Sequence, residues 1–127
     1  MQAIAEARYR QLEVIRRCDD LFSKFDVLLV PGVGVQPFPW SMNYPETVDG
    51  EVIANYMDWL HLTSSLTVAG LPVVTLPMGV DDRGLPFGIQ VVGRRYHDHR
   101  LLSIARTLER ICAHQEGLGR PIPVLGS

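Results

Sequence analysis

The sequence has little of several things, and each scarcity removes a class of function. Only two of its 127 residues are cysteines, Cys18 and Cys112, far apart and with no CxxC. Neither a zinc site nor a disulfide framework is indicated, and both read as small apolar side chains on helix faces. No apolar run approaches the roughly 18 residues of a membrane span. Glu6, Arg8 and Arg10 stand where a signal peptide would need its apolar centre, so the expectation is a cytoplasmic chain without a membrane partner. The net charge is −2 and the arginines are dispersed, which leaves no electrostatic footprint for nucleic acid. Lysine occurs once, at Lys24. His97 and His99 flank Asp98, but the three read as polar side chains at a helix entry rather than a metal clip. No metal or cofactor is expected.

What is present suits one domain over residues 1–127 with a modest core: 46% of residues are apolar and 20% charged. Residues 2–24 have helical periodicity, with Ile4, Ala7, Leu12, Ile15, Cys18, Phe22 and Phe25 assigned to one stripe. Val27 to Val30 form an unbroken apolar run closed by Pro31, the pattern of a strand covered on both faces. Residues 31–50 are rich in Gly and Pro and read as a long loop, yet they also carry Phe38, Trp40, Met42 and Tyr44. Loops of such length in compact domains are usually functional or packed on themselves. Residues 51–65 are expected to form a short helix, with Val52, Tyr56, Trp59 and Leu60 on one side.

The stretch Ala69 to Gly93, AGLPVVTLPMGVDDRGLPFGIQVVG, contains Gly-Leu-Pro twice with an Asp-Asp-Arg-Gly turn between. Each copy supplies a flexible glycine, an apolar anchor and a fixed φ at a strand entry, so the pair reads as the two strands of an antiparallel hairpin. Pro77 is expected to end the first strand's regular pairing or to mark a bulge. Residues 98–115 read as a closing helix with Asp98 as N-cap and Leu101, Ile104, Ala105, Leu108, Ile111 and Cys112 as its apolar stripe. The expected fold is α/β, with strand 26–31 beside the 73–92 hairpin and both long helices packed on the sheet.

KFDVLLVPG, then a proline-rich loop, then Gly70-Leu71-Pro72, Pro77, Gly79, Gly84-Leu85-Pro86, Gly88, Gln90 and Gly93 in this order, resemble the C-terminal part of an amidase-signature enzyme. The likeness runs from the first helix to about Arg110. It implies the C-terminal portion of an α/β/α sandwich with a mixed sheet. It also implies hydrolysis or transfer of amides through a serine nucleophile, a second serine beside a cis peptide and a lysine base, in an N-terminal Gly/Ser-rich region. That region has no counterpart here. Lys24 lies in a polar turn, whereas a lysine base needs a desolvated site within reach of a serine. Ser64-Ser65 lacks the flanking glycines of an oxyanion hole. No residue of this chain is therefore assigned a catalytic role, and the chain alone is expected to be inactive.

The resemblance further implies, in the glutamine-dependent transamidation subfamily, an Asp ten residues before the strand-entry glycine. Leu60 stands there, Asp58 is two residues off, and Thr67 stands where that subfamily has Asn. These departures favour a general amidase or an allophanate-hydrolase-like enzyme acting on a small amide. Phe38, Trp40, Met42 and Tyr44, with Thr67, are the candidate pocket residues. The expected partners are the missing N-terminal part of the parent enzyme or, for the isolated chain, further copies of itself joined at the open edge of the 27–30 strand. The alternative reading is a non-catalytic binding or assembly module on the same fold.

Overall fold

The computed structural model describes residues 2–123. The elements are α1 (Gln2–Phe22), β1 (Leu28–Pro31), β2 (Thr47–Val48), β3 (Glu51–Val52), a 3₁₀ turn (Asp58–Leu60), α2 (His61–Val68), β4 (Val73–Val80), β5 (Pro86–Val92) and α3 (Asp98–Cys112). The α/β expectation holds. β1, β5 and β4 form one sheet in that order, and every described pairing is antiparallel.

β5 lies in the middle, so its residues carry the burial: Gln90, Val91, Val92 and Gly93 are all buried. Leu76 of β4, Val91 of β5, and Leu101 and Ala105 of α3 form the core, with Val27, Val74, Ile89 and Leu108 packed around it. Leu101 and Ala105 are spaced i and i+4, one face of a helix, and that face meets the sheet. Gly93 makes the close approach possible, because a Cβ there would meet the Leu101 side chain at 3.1 Å. Asp98 is not the N-cap. His97 holds that position with no side-chain cap bond, and Asp98 sits in the first turn, where its charge complements the helix dipole.

The hairpin follows the expected plan. Asp81 accepts from the backbone N–H of Arg83 and of Leu85 at 2.9 and 2.8 Å, while the Gly84 N–H donates to the Asp81 carbonyl. Gly84 has φ +76°, and Gly70, ahead of the other strand, has φ +61°; both Gly-Leu-Pro motifs thus use the backbone freedom of glycine. The register shifts between Pro77 and Val80, so the bulge lies where Pro77 predicts it.

Other expectations fail as well. α1 does not lie on the sheet: of its residues only Phe22 is buried. Its described ties are the Gln11 bond to the Val68 carbonyl and the Asp19–Arg94 pair, away from the strands themselves; β1, expected to be covered on both faces, is an edge strand with Leu29 half exposed. Residues 51–65 are also not one helix. Asp49 and Gly50, with φ +51° and +82°, turn β2 back onto β3, a hairpin signal in the Asp-Gly pair that the helical reading passed over. The Asp58 carboxylate then accepts from the N–H groups of Ala54 and Asn55, fixing the turn that precedes α2.

Candidate substrate pocket

β1 ends at Pro31, and the long loop leaves from that point. The exit is held by Gln90. Its side-chain amide donates to the Pro31 and Gly32 carbonyls at 3.0 and 3.3 Å, and the residue is buried. A polar side chain in a sheet centre is tolerated because it satisfies two carbonyls that the strand ladder has released. Gly32 and Gly88 stack at this point: a Cβ on Gly32 would come within 2.7 Å of the Gly88 carbonyl, and one on Gly88 within 2.9 Å of the Leu76 carbonyl.

Between the loop root and the hairpin lies a mainly apolar groove of about 540 Å³, walled by Val33, Val35 and Pro37 on one side and Thr75, Pro77 and Phe87 on the other. Asp81 is its charged group. Hydrogen bonds from Leu85 and Arg83 hold that carboxyl below its ordinary pKa, so it stays ionised at neutral pH. None of these wall residues is among the pocket candidates named from the sequence, where Pro77 is read only as a bulge and a family mark. The signal was present: Val33 and Val35 alternate after Pro31, and Phe87 follows the second Gly-Leu-Pro.

Beyond the root, the loop is tied together by edge-to-face aromatic contacts. Phe38 meets Trp59 at 5.7 Å, Trp59 meets Tyr56 at 5.9 Å, and Tyr56 meets Tyr44 at 6.2 Å. Such perpendicular pairs place positive ring edges on negative faces. The structure therefore brings Phe38 and Tyr44 into one chain through two residues outside the loop proper. Met42 and Tyr44 share a shallow concavity with Val52 and Ile53. Trp40 points away and is 97% exposed. Thr67 lies on α2, exposed, its hydroxyl donating to the Ser64 carbonyl at 2.6 Å. The Trp59 Nε1–H is buried without an acceptor.

The polar residues considered for chemistry have local structural roles. Ser64 and Ser65 both donate to the His61 carbonyl within α2. Lys24 is exposed in the turn after α1. Asp58 is engaged by the Ala54–Asn55 turn. His97 Nδ1 lies 2.8 Å from the Arg95 carbonyl. Cys18 and Cys112 are unpaired and half-buried, and burial, then the Asp19 charge, push the Cys18 thiol up. No helix among the described residues is long and apolar enough to cross a membrane.

An antiparallel hairpin backed by one helix is a common arrangement, and here the loop root, paired glycines and buried glutamine make it particular. Residues 2–102 match the Amidase family profile, and the chain belongs to that family. It is 30% identical over 115 residues to a glutamyl-tRNA(Gln) amidotransferase subunit of Prochlorococcus marinus, covering 84% of this chain and 22% of that protein. It is also 30% identical over 128 residues to a fatty acid amide hydrolase of Medicago truncatula, covering 95% of this chain and 20% of that one. Among solved structures, the corresponding amidotransferase subunit of Thermotoga maritima superposes with a TM-score of 0.67 at 26% identity, covering 99% of this chain and 25% of that chain. The 6-aminohexanoate cyclic dimer hydrolase superposes with the same TM-score at 26% identity, covering 86% of this chain and 23% of that chain. The chain thus spans about a fifth to a quarter of the length of these relatives.

Proposed function

We propose that this chain is the C-terminal portion of an amide hydrolase, that it supplies walls of the substrate pocket, and that the nucleophile and base reside in the portion it lacks. One observation carries this reading: the groove and the aromatic chain beside it form a mainly apolar, concave surface, while among the described residues neither the Ser64–Ser65 pair nor Lys24 is placed for nucleophilic catalysis. Ser64 and Ser65 turn back onto the His61 carbonyl of their own helix, and Lys24 sits in water. In the assembled enzyme the groove between Val33 and Phe87 takes the apolar part of a small amide, and Phe38, Met42 and Tyr44 line its approach. Trp40 and Thr67, both exposed here, reach substrate only where the rest of the enzyme closes over them. The leucine at position 60 and the structural use of Asp58 favour hydrolysis over glutamine-dependent transfer.

The test is incubation of the chain with simple aryl and alkyl amides, with Lys24→Ala as control. The expected result is no turnover above background, since the members of a serine-based catalytic unit act together and losing them removes several orders of magnitude in rate. Turnover that disappears in Lys24→Ala would show a base on this chain and overturn the reading.

A further inference from the structure

The groove between the loop root and the hairpin is apolar along its walls and charged in one place. Among the described residues that line it, Asp81 alone carries a charge, and the other polar side chains, Gln36 and Thr75, are neutral. Its volume of about 540 Å³ suits a small organic group. What kind of group it takes is set by that carboxylate.

The two oxygens of Asp81 are used unequally. Oδ1 accepts both backbone N–H groups of the turn, from Arg83 and Leu85, at 2.9 and 2.8 Å. Oδ2 is met by the Arg83 guanidinium alone, at 3.4 and 3.3 Å. These contacts are longer than the roughly 2.7–2.9 Å of a charge-assisted bond. The Arg83 side chain is 48% exposed, so its release to water costs little. An ionised carboxylate offers about four acceptor positions. Oδ2 therefore keeps capacity for a further donor while Oδ1 holds the turn.

The sign of the site follows from its neighbours. Asp82 stands beside Asp81, and Arg83 balances one of the two, which leaves the turn negative. A negative charge next to apolar walls attracts a cation and repels an anion. A guanidinium needs both carboxylate oxygens for its paired bonds, and Oδ1 is committed to the turn. A primary ammonium is a compact point charge and needs one oxygen.

We propose that the groove selects a ligand whose apolar chain ends in a primary ammonium, received at Asp81 Oδ2 in place of Arg83. For the substrate, this rests on the hydrolase reading and names an amide that carries an aminoalkyl chain; for the groove, it concerns the chain alone. Titration of the chain with hexylammonium, hexanol and hexanoate, followed by amide chemical shifts, tests it. The shifts should centre on Val33, Val35, Thr75 and Phe87, which wall the groove. Hexylammonium should bind at least about fivefold more tightly than hexanol, and hexanoate most weakly. Asp81→Asn keeps a carbonyl oxygen for the two N–H bonds and should bring hexylammonium within about twofold of hexanol. Arg83→Ala should tighten hexylammonium and leave hexanol unchanged. For the unaltered chain, raising salt from about 0.02 to 0.5 M should weaken hexylammonium and not hexanol. Equal binding of the alcohol and the ammonium, a preference that survives Asp81→Asn, shifts centred outside the groove, or no binding up to about 50 mM would each overturn the proposal. Turnover by the chain that disappears in Lys24→Ala would instead overturn the hydrolase reading and leave the groove's preference standing.

Discussion

The β4–β5–α3 unit and the remainder of the chain are built on different terms. In the first, apolar residues meet apolar residues of the same chain: Leu76, Val91, Leu101 and Ala105 are shielded by one another. In α1 and in the segment from Val33 to Met57, comparable side chains face water, Trp40 and Val52 among them. A helix and a loop shaped in this way fit a larger fold, where more protein covers them. The difference teaches where the chain's own stability resides and where its surface is made for contact.

The largest effect that should separate the two regions comes from truncating a side chain in each. Leu101→Ala removes a buried core residue and should cost about 3 kcal/mol in urea denaturation. Val52→Ala, at an 81% exposed position, should cost less than about 0.5 kcal/mol. Equal costs would erase the distinction between a finished core and an open surface.

A smaller effect sharpens the boundary between the regions, which lies at Gln90. Gln90→Leu keeps the volume and removes the donor, leaving the Pro31 and Gly32 carbonyls without it. The expected loss is about 1–3 kcal/mol, and amide exchange should accelerate first at the loop root, residues 32–37. A variant as stable as the parent would show that water replaces the amide and that the exit of β1 is held by other contacts.

The smallest effect is a dependence on pH. Asp81 has its pKa lowered by the Leu85 N–H first, and by Arg83, from an ordinary 3.8. A depressed folded-state value means that the turn's stabilisation is fully present above the unfolded pKa and is lost as pH falls through the folded one. Acid unfolding below pH 3.8 should therefore be less steep in Asp81→Asn than in the parent, with little difference between them in slope near pH 7. Identical acid limbs would show that the turn does not contribute to acid sensitivity.

The two regions also differed in how far the sequence revealed them. The hairpin was legible because its signals are local: two Gly-Leu-Pro entries, Asp81 at a turn start, and Pro77 at a bulge. α3 was legible from the spacing of Leu101 and Ala105. The position of α1 was not, because periodicity shows that a helix has an apolar side and not which chain covers it. The β2–β3 hairpin was missed although Asp49-Gly50 marks it, since Val52, Tyr56, Trp59 and Leu60 invited a helical reading. Of the candidate pocket, Phe38 and Tyr44 could be named from composition. Their link through Trp59 and Tyr56, and the wall formed by Val33, Thr75 and Phe87, depend on long-range packing that no local pattern encodes.

Hydrogen exchange on dilute, unliganded chain tests the contrast most directly. The account predicts that amides of β4, β5 and the sheet-facing turns of α3 exchange slowest and together, as one cooperative unit, while residues 2–14 and 33–57 exchange orders of magnitude faster. Uniform slow exchange across α1, the loop and the hairpin would contradict it, because the chain would then be covering its own surface without any partner.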